Sequence, residues 1–337
     1  MFKKFQIACI QSSIEVIDDP ADRDAVIGRN IERSLNIAES AVLRDEAKVI
    51  VFPEAWLQGF THTRSNTDWE DICIQVPGPE TAKIGAFTKR HQIYVAGAAF
   101  ERDPDWPEVW FTTGFIVGPS GDVELRYRKI HDHNLEGLIP SVSPADVYSE
   151  YIKRYGEESL FPVLDTPYGR LAMIVEHDMS FFELSRVLVF HGAEILLHPT
   201  AEGNGPMAQT LDQARRSRAY ENFVYLASAN AGTIQSKYSA AQASRGCSTI
   251  INYLGNVDAS IDGAGESVLP SAIDLNRLRQ RRTEVAMNYP AQVKSELFGR
   301  EFSKQPFMKS NTGPGTRATT QAAIDRLQAE GVFAPPE

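Results

Sequence analysis

The chain alternates short β-branched runs with stretches whose apolar residues recur every three or four positions. Phe5–Gln11 (FQIACIQ) reads as a buried strand. Val26, Ile27, Ile31, Leu35, Ala38 and Val42 then fall at helical spacing, so one side of that segment must face a core. Val49–Pro53 (VIVFP) predicts a second buried strand with Glu54 at its end. Glu80–His91 reads as a helix and Ile93–Phe100 (IYVAGAAF) as a strand. Trp110–Val117 and Val123–Lys129 are separated by Gly-Pro-Ser-Gly-Asp, whose turn chemistry makes them a hairpin. Val163-Leu-Asp-Thr-Pro-Tyr-Gly-Arg170 signals another hairpin leading into the strand Leu171–Val175. Helix 181–191, strand Ile195–Leu197, helix 207–222 and strand Phe223–Ser228 follow, and strands near Ser248–Asn252 and Val268–Ile273 close the series.

Alternation of this kind with hairpins set into it predicts an α/β protein whose mixed sheets are layered with helices. Residues 132–160 break the rhythm: they form a long polar stretch holding Tyr148, Tyr151 and Tyr155, where a compact domain uses a short loop. Beyond residue 303 apolar residues thin out around Thr312-Gly-Pro-Gly-Thr316, before a helical candidate near 318–330. The reading is one domain over 1–302 and a C-terminal tail over 303–337, either packed on a partner subunit or loosely held.

With 42% hydrophobic and 23% charged residues over 337 positions, the chain can build a sizeable core without disulfides or a structural metal. A net charge of −10 argues against a nucleic-acid partner or an anionic membrane. Cys9, Cys73 and Cys247 form no CxxC pair and read as reduced thiols. No apolar stretch is long enough to span a bilayer and no signal-like start is present, so the expected location is the cytoplasm. No cofactor is implied.

Four stretches in fixed order carry the chemistry. They are Phe52-Pro53-Glu54-Ala55-Trp56 with Gly59-Phe60, Tyr127-Arg128-Lys129-Ile130-His131, and Gly169–Asp178 followed by Phe181-Phe182-Glu183; the last comprises Gly192–Pro199, Arg218–Asn222 and Gly246-Cys247-Ser248. Together they resemble the nitrilase, or carbon–nitrogen hydrolase, superfamily over nearly the whole chain. The resemblance implies an α-β-β-α sandwich, a small-molecule amide, nitrile or ureido substrate, and pairing of subunits into a homo-oligomer. It implies that Glu54 is the general base, that Lys129 is the lysine, and that Glu136 in Leu135-Glu136-Gly137 is the second glutamate found beside it, as in aliphatic amidases. In the family motif a cysteine nucleophile stands two residues before the aspartate and seven before the glutamate of the next helix. Counted from Asp178 and Glu183, both intervals land on Glu176, and no cysteine lies between Cys73 and Cys247.

Glu176 cannot repeat the work of a thiolate. If its carboxylate attacked an amide, the tetrahedral adduct would expel carboxylate more readily than amine. A carboxylate can instead activate water or shuttle a proton. Glu54, Glu136 and Glu176 around a single lysine should drive at least one carboxyl pKa upward. Such a cluster is also compatible with a divalent cation, a reading to which His131-Asp132-His133 and His177 add; a polar loop at the site mouth explains those histidines better, and no metal is assigned. His177, Tyr148 and Trp56 are expected to wall the substrate pocket, and Cys247 to be a buried packing thiol. Three functions stay open: an enzyme with altered chemistry at Glu54, Lys129, Glu136 and Glu176, an inactive ligand-binding or scaffolding relative, and an ordinary thiol hydrolase carrying a replaced nucleophile.

Overall fold

Side-chain alternation along the strands decides what each layer faces. In β1 (Phe5–Gln11), Phe5, Ile7 and Cys9 enter one apolar cluster while Ala8 and Ile10 enter another. The same split recurs in β3 (Ala47–Glu54), where Val49 and Val51 oppose Ile50 and Phe52. A strand buried on both faces needs a layer on each, which here are a second sheet and a helix pair. The computed structural model describes residues 4–60, 66–107, 109–131, 141–205, 208–237, 244–304, 310–313 and 318–334.

The first sheet adds β4 (Tyr94–Glu101), β5 (Phe111–Val117), β6 (Val123–Arg128) and the late strand β14 (Ser267–Ile273), in the order β14-β1-β3-β4-β5-β6. The second is built from β7 (Val163–Thr166), β8 (Gly169–Met173), β9 (Ile195–Thr200), β10 (Tyr225–Asn230), β12 (Thr249–Ile251) and β13 (Val257–Ser260), in the order β13-β12-β10-β9-β8-β7. Each has three adjacent parallel strands, β1-β3-β4 and β8-β9-β10, flanked by antiparallel ones. The helices α1 (Arg23–Asp45) and α3 (Pro79–His91) cover the first sheet, with Ile27, Ile31, Ala38, Ile84 and Phe87 buried against it. The helices α5 (Phe182–Phe190) and α6 (Ala208–Asn222) cover the second through Leu184, Leu188 and Ala219. The architecture is an α-β-β-α sandwich.

Several elements were not anticipated. Strands β2 (Ser13–Glu15) and β11 (Thr233–Gln235) make a small parallel pair, and α2 (Asn66–Ile72) precedes α3. The polar insert is not simply a loop: residues 132–140 lie outside the described residues, but α4 (Tyr148–Tyr155) and a short 3-10 turn at Glu157–Ser159 follow. After β14 come α7 (Leu275–Thr283), α8 (Tyr289–Gln292) and α9 (Ser295–Lys304), and then α10 (Ala318–Ala329), which is the helical candidate read near 318–330. Residues 310–313 bond back to their own chain: Asn311 N donates to Ala145 O at 2.8 Å, Gly313 N to Asp146 O at 3.0 Å, and Ser149 N to Asn311 Oδ1 at 2.7 Å. Among the described residues no helix is long and apolar enough to cross a membrane.

Candidate active site

The C-terminal ends of parallel strands are where an open α/β sheet leaves backbone groups and side chains free to converge. Glu54 ends β3, Lys129 follows β6, and Glu176 opens a 3-10 turn (Glu176–Ser180) just beyond β8. Alternation in β6 aims its residues differently. Tyr127 donates through its hydroxyl to Asp178 Oδ2 at 2.6 Å, Arg128 turns to Glu101 and Asp103, and Lys129 turns back toward Glu54 and Glu176.

Lys129 is the hub. Its ammonium lies 3.1 Å from Glu54 Oε1 and 3.1 Å from Glu176 Oε2, and its side chain is only 2% exposed. Burial alone would discharge it, but Glu54, Glu176 and Asp178 outweigh that penalty and hold it above its ordinary pKa. Two of its three N–H donors are engaged by these carboxylates.

Glu176 adopts φ of 41°, a left-handed conformation that costs a residue with a side chain about 1–2 kcal/mol. Strain of this kind persists only where surroundings impose it. His198 of β9 lies beneath, its Nε2 3.1 Å from the Glu176 carbonyl and its Nδ1 2.8 Å from Ser228 Oγ of β10. Burial, reinforced by the charge of Arg215, pushes His198 down to about 3 and keeps the ring neutral.

Asp178 ties the lysine segment to the glutamate turn. Besides Tyr127 it accepts from the His131 backbone N–H at 2.8 Å and contacts His131 Nδ1 at 2.9 Å. The His131 ring stacks on Phe181 at 3.6 Å between centroids, and His177 meets the same phenyl edge-on at 5.5 Å. Farther out, Glu202 accepts from Thr200 Oγ1 at 2.8 Å, from Arg245 at 3.1 Å and from Arg215. Burial and the neighbouring Arg245 pull Arg215 down to about 9, with Glu176 opposing the shift.

Glu54, Lys129 and Glu176 are therefore brought together, and His177 lies next to Glu176 in the same turn. Glu136, Asp132 and His133 lie outside the described residues. Trp56 is a correction: its side chain is fully buried on the helix side of the first sheet, stacked on Phe52 at 4.2 Å, and so walls no pocket. The left-handed Ala55 (φ 51°) turns the chain immediately after Glu54, and Gly97 makes room for the indole, since a Cβ there would meet Trp56 Nε1 at 2.5 Å. Tyr148 opens α4 and is half-buried, while Tyr151 and Tyr155 of that helix pack over Arg128. Cys247 is also corrected, being half-buried rather than buried, beside Arg245. Among the described residues no group of three or more His, Cys, Asp or Glu side chains is placed to hold a metal. The roles of Asp178, His198 and Arg215 in the site could not be read from sequence. The only hint was a histidine inside the apolar run Ile195–Pro199.

The carbon–nitrogen hydrolase family model matches residues 6–283, and the chain belongs to that family. It is 28% identical over 302 residues to the human omega-amidase NIT2, covering 89% of this chain and 99% of that one. In fold it resembles Nit3 of Saccharomyces cerevisiae, a nitrilase-superfamily member, with a TM-score of 0.68 and 19% identity over 86% of this chain and 97% of that one. A Glu-to-Gln mutant of the amidase from Nesterenkonia sp. AN1, with the acetamide moiety of fluoroacetamide added covalently at its active-site cysteine, matches with a TM-score of 0.62 and 18% identity, over 88% of this chain and 96% of that one.

Proposed function

We propose that the protein hydrolyses a small amide, nitrile or ureido-type compound, with Glu176 standing where the family places its nucleophilic cysteine and acting on water instead of on carbon. The observation that carries the reading is the buried ammonium of Lys129 held between Glu54 and Glu176, the latter in a left-handed turn at the end of a strand. For an amide, Glu176 takes a proton from a water molecule as its oxygen bonds to the carbonyl carbon. Lys129 stabilises the oxyanion through its remaining N–H. The protonated carboxyl then gives its proton to the nitrogen as the C–N bond breaks, releasing amine and acid. Glu54 keeps Lys129 charged, and Glu136 is proposed to join them.

The omega-amidase and amidase names of the relatives support a small-molecule substrate. The three unpaired cysteines support a reducing compartment such as the cytoplasm. Assembly into a homo-oligomer belongs to the same proposal. One observation favours a second reading: the Glu176 carboxylate is paired to the lysine that would stabilise an oxyanion, as suits a ligand-binding protein without turnover. Turnover and isothermal titration against a panel of small amides, nitriles and ureides separate the two. Hydrolysis is expected, with a roughly hundredfold loss in Glu176→Gln. Binding without turnover of any member of the panel would establish the second reading.

A further inference from the structure

His198 is fully buried in the middle of the second sheet, on β9 between β8 and β10, and both of its ring nitrogens are engaged. A carbonyl oxygen only accepts, so the 3.1 Å contact to Glu176 O requires the hydrogen on Nε2. In a neutral ring Nδ1 is then the acceptor, and the Ser228 hydroxyl, 2.8 Å away, donates to it. Ser228 stands directly opposite His198 in the parallel β9–β10 pairing and is itself buried, so the tautomer is fixed by the sheet and not by solvent. The ladder toward Glu176 ends nearby, where Ile174 N donates to Leu197 O at 3.0 Å. Two residues later the chain leaves extended geometry, and the His198 contact falls on the one residue of the turn with positive φ. A histidine kept only for packing would have no reason to present a hydrogen of defined position to that carbonyl.

We infer that His198, its hydrogen held on Nε2 by the Glu176 carbonyl and its ring seated through Nδ1 by Ser228, is a positioning residue that holds the Glu176 backbone in the left-handed turn and so aims the Glu176 carboxylate at Lys129. The catalytic consequence rests on the proposed role of Glu176; the conformational one does not. Loss of the donor should leave the substrate's binding contacts in place and misaim the carboxylate. In the full-length protein, His198→Leu is therefore expected to lower kcat roughly tenfold or more, on the scale of a small misplacement of an acting group, with KM little changed. His198→Gln, whose amide nitrogen can reach the same carbonyl, should recover most of that loss. Ser228→Ala, which leaves Nδ1 without its donor while Nε2–H still reaches the carbonyl, should cost much less than His198→Leu. Equal losses in the Leu and Gln variants, or a rise in KM at constant kcat, would overturn the inference.

Hydrogen exchange over residues 176–178 gives a readout that needs no turnover. It should quicken in His198→Leu and stay near native in His198→Gln and Ser228→Ala. Native-like exchange in a folded His198→Leu would overturn the positioning role whatever the enzyme does. If that variant does not fold, His198→Asn, whose shorter side chain keeps a group near Ser228 but places no donor at the Nε2 position, takes its place, and native-like exchange there decides the matter the same way. Quickened exchange in a protein that turns over nothing would keep the positioning role and defeat the catalytic reading of Glu176.

Discussion

Lys129 shows how one side chain can make a buried carboxylate and a half-buried one tolerable side by side. Truncating it as Lys129→Met would remove the cation that Glu54 and Glu176 share, a change expected to cost about 3 kcal/mol in urea unfolding. The pKa of Lys129 is raised by folding, so its contribution is complete below its unfolded value of 10.5 and fades as pH climbs through the higher folded value. The native protein should lose this increment on the alkaline side, and Lys129→Met should not show it. His198 acts at the other end of the scale. Folding lowers its pKa to about 3, so below roughly 6.5 only the unfolded chain takes up the proton. Stability should therefore fall as pH drops from 6.5 toward 3, by up to about 1.4 kcal/mol per unit from this group. That share should vanish in His198→Gln. The thiols offer a third test. Cys247 is the one cysteine of three that is not buried, so iodoacetamide should modify it and leave native turnover unchanged. Glu176→Cys should gain amidase or esterase activity that iodoacetamide abolishes.

At the scale of elements, β6 is the piece on which most depends, because its last residues face different neighbours. Arg128 is fully buried, bonded to Glu101 at 3.0 and 3.1 Å and also to Asp103, and covered by Phe111 at 4.1 Å and by Tyr155 at 4.8 Å. Arg128→Met should cost about 3 kcal/mol by removing the buried cation that Glu101 and Asp103 share and leaving them to the part-exposed Arg126, and should loosen α4, which thermal unfolding and protease sensitivity at residues 148–155 would register. This arrangement also explains what could be read in advance. The β-branched strands and the helices α1, α3, α5 and α6 were legible because their periodicity is set by burial on known faces. Helix α4 was not, although Tyr148, Tyr151, Ile152 and Tyr155 fall at helical spacing, because the stripe is only two turns long, built mostly of tyrosines and set in a polar stretch. The β2–β11 pair was hidden for another reason, since each partner is three residues long and they meet across more than two hundred positions. Glu54, Lys129 and Glu176 were legible from motif order alone. Trp56 was misplaced because adjacency to Glu54 says nothing about a left-handed residue between them. His198 was invisible as a site residue, since its partners are a carbonyl and a hydroxyl on other segments.

The molecule as a whole closes on itself through its tail. Asn311 and Gly313 bond to the turn at 145–149, and Thr312 Oγ1 reaches Asp146 Oδ1 at 3.3 Å. The other oxygen of Asp146 accepts from Ser143 N at 3.1 Å, and Ser143 Oγ donates to the carbonyl of Ile130, next to Lys129, at 2.6 Å. Deleting residues 305–337 should quicken hydrogen exchange at 145–149 and lower kcat with little change in the burial of the two sheets. Light scattering should report a homo-oligomer, and a monomer at every working concentration would remove that part of the proposal. The tail contact also has a meaning in time. A chain made from its N-terminus has both sheets, Glu54, Lys129 and Glu176 long before residues 311–313 emerge, yet the turn that props the lysine segment lacks its final bonds until then. Activity in a translating ribosome complex should therefore lag behind folding of the sandwich and arrive only once residues 311–313 are free to bond.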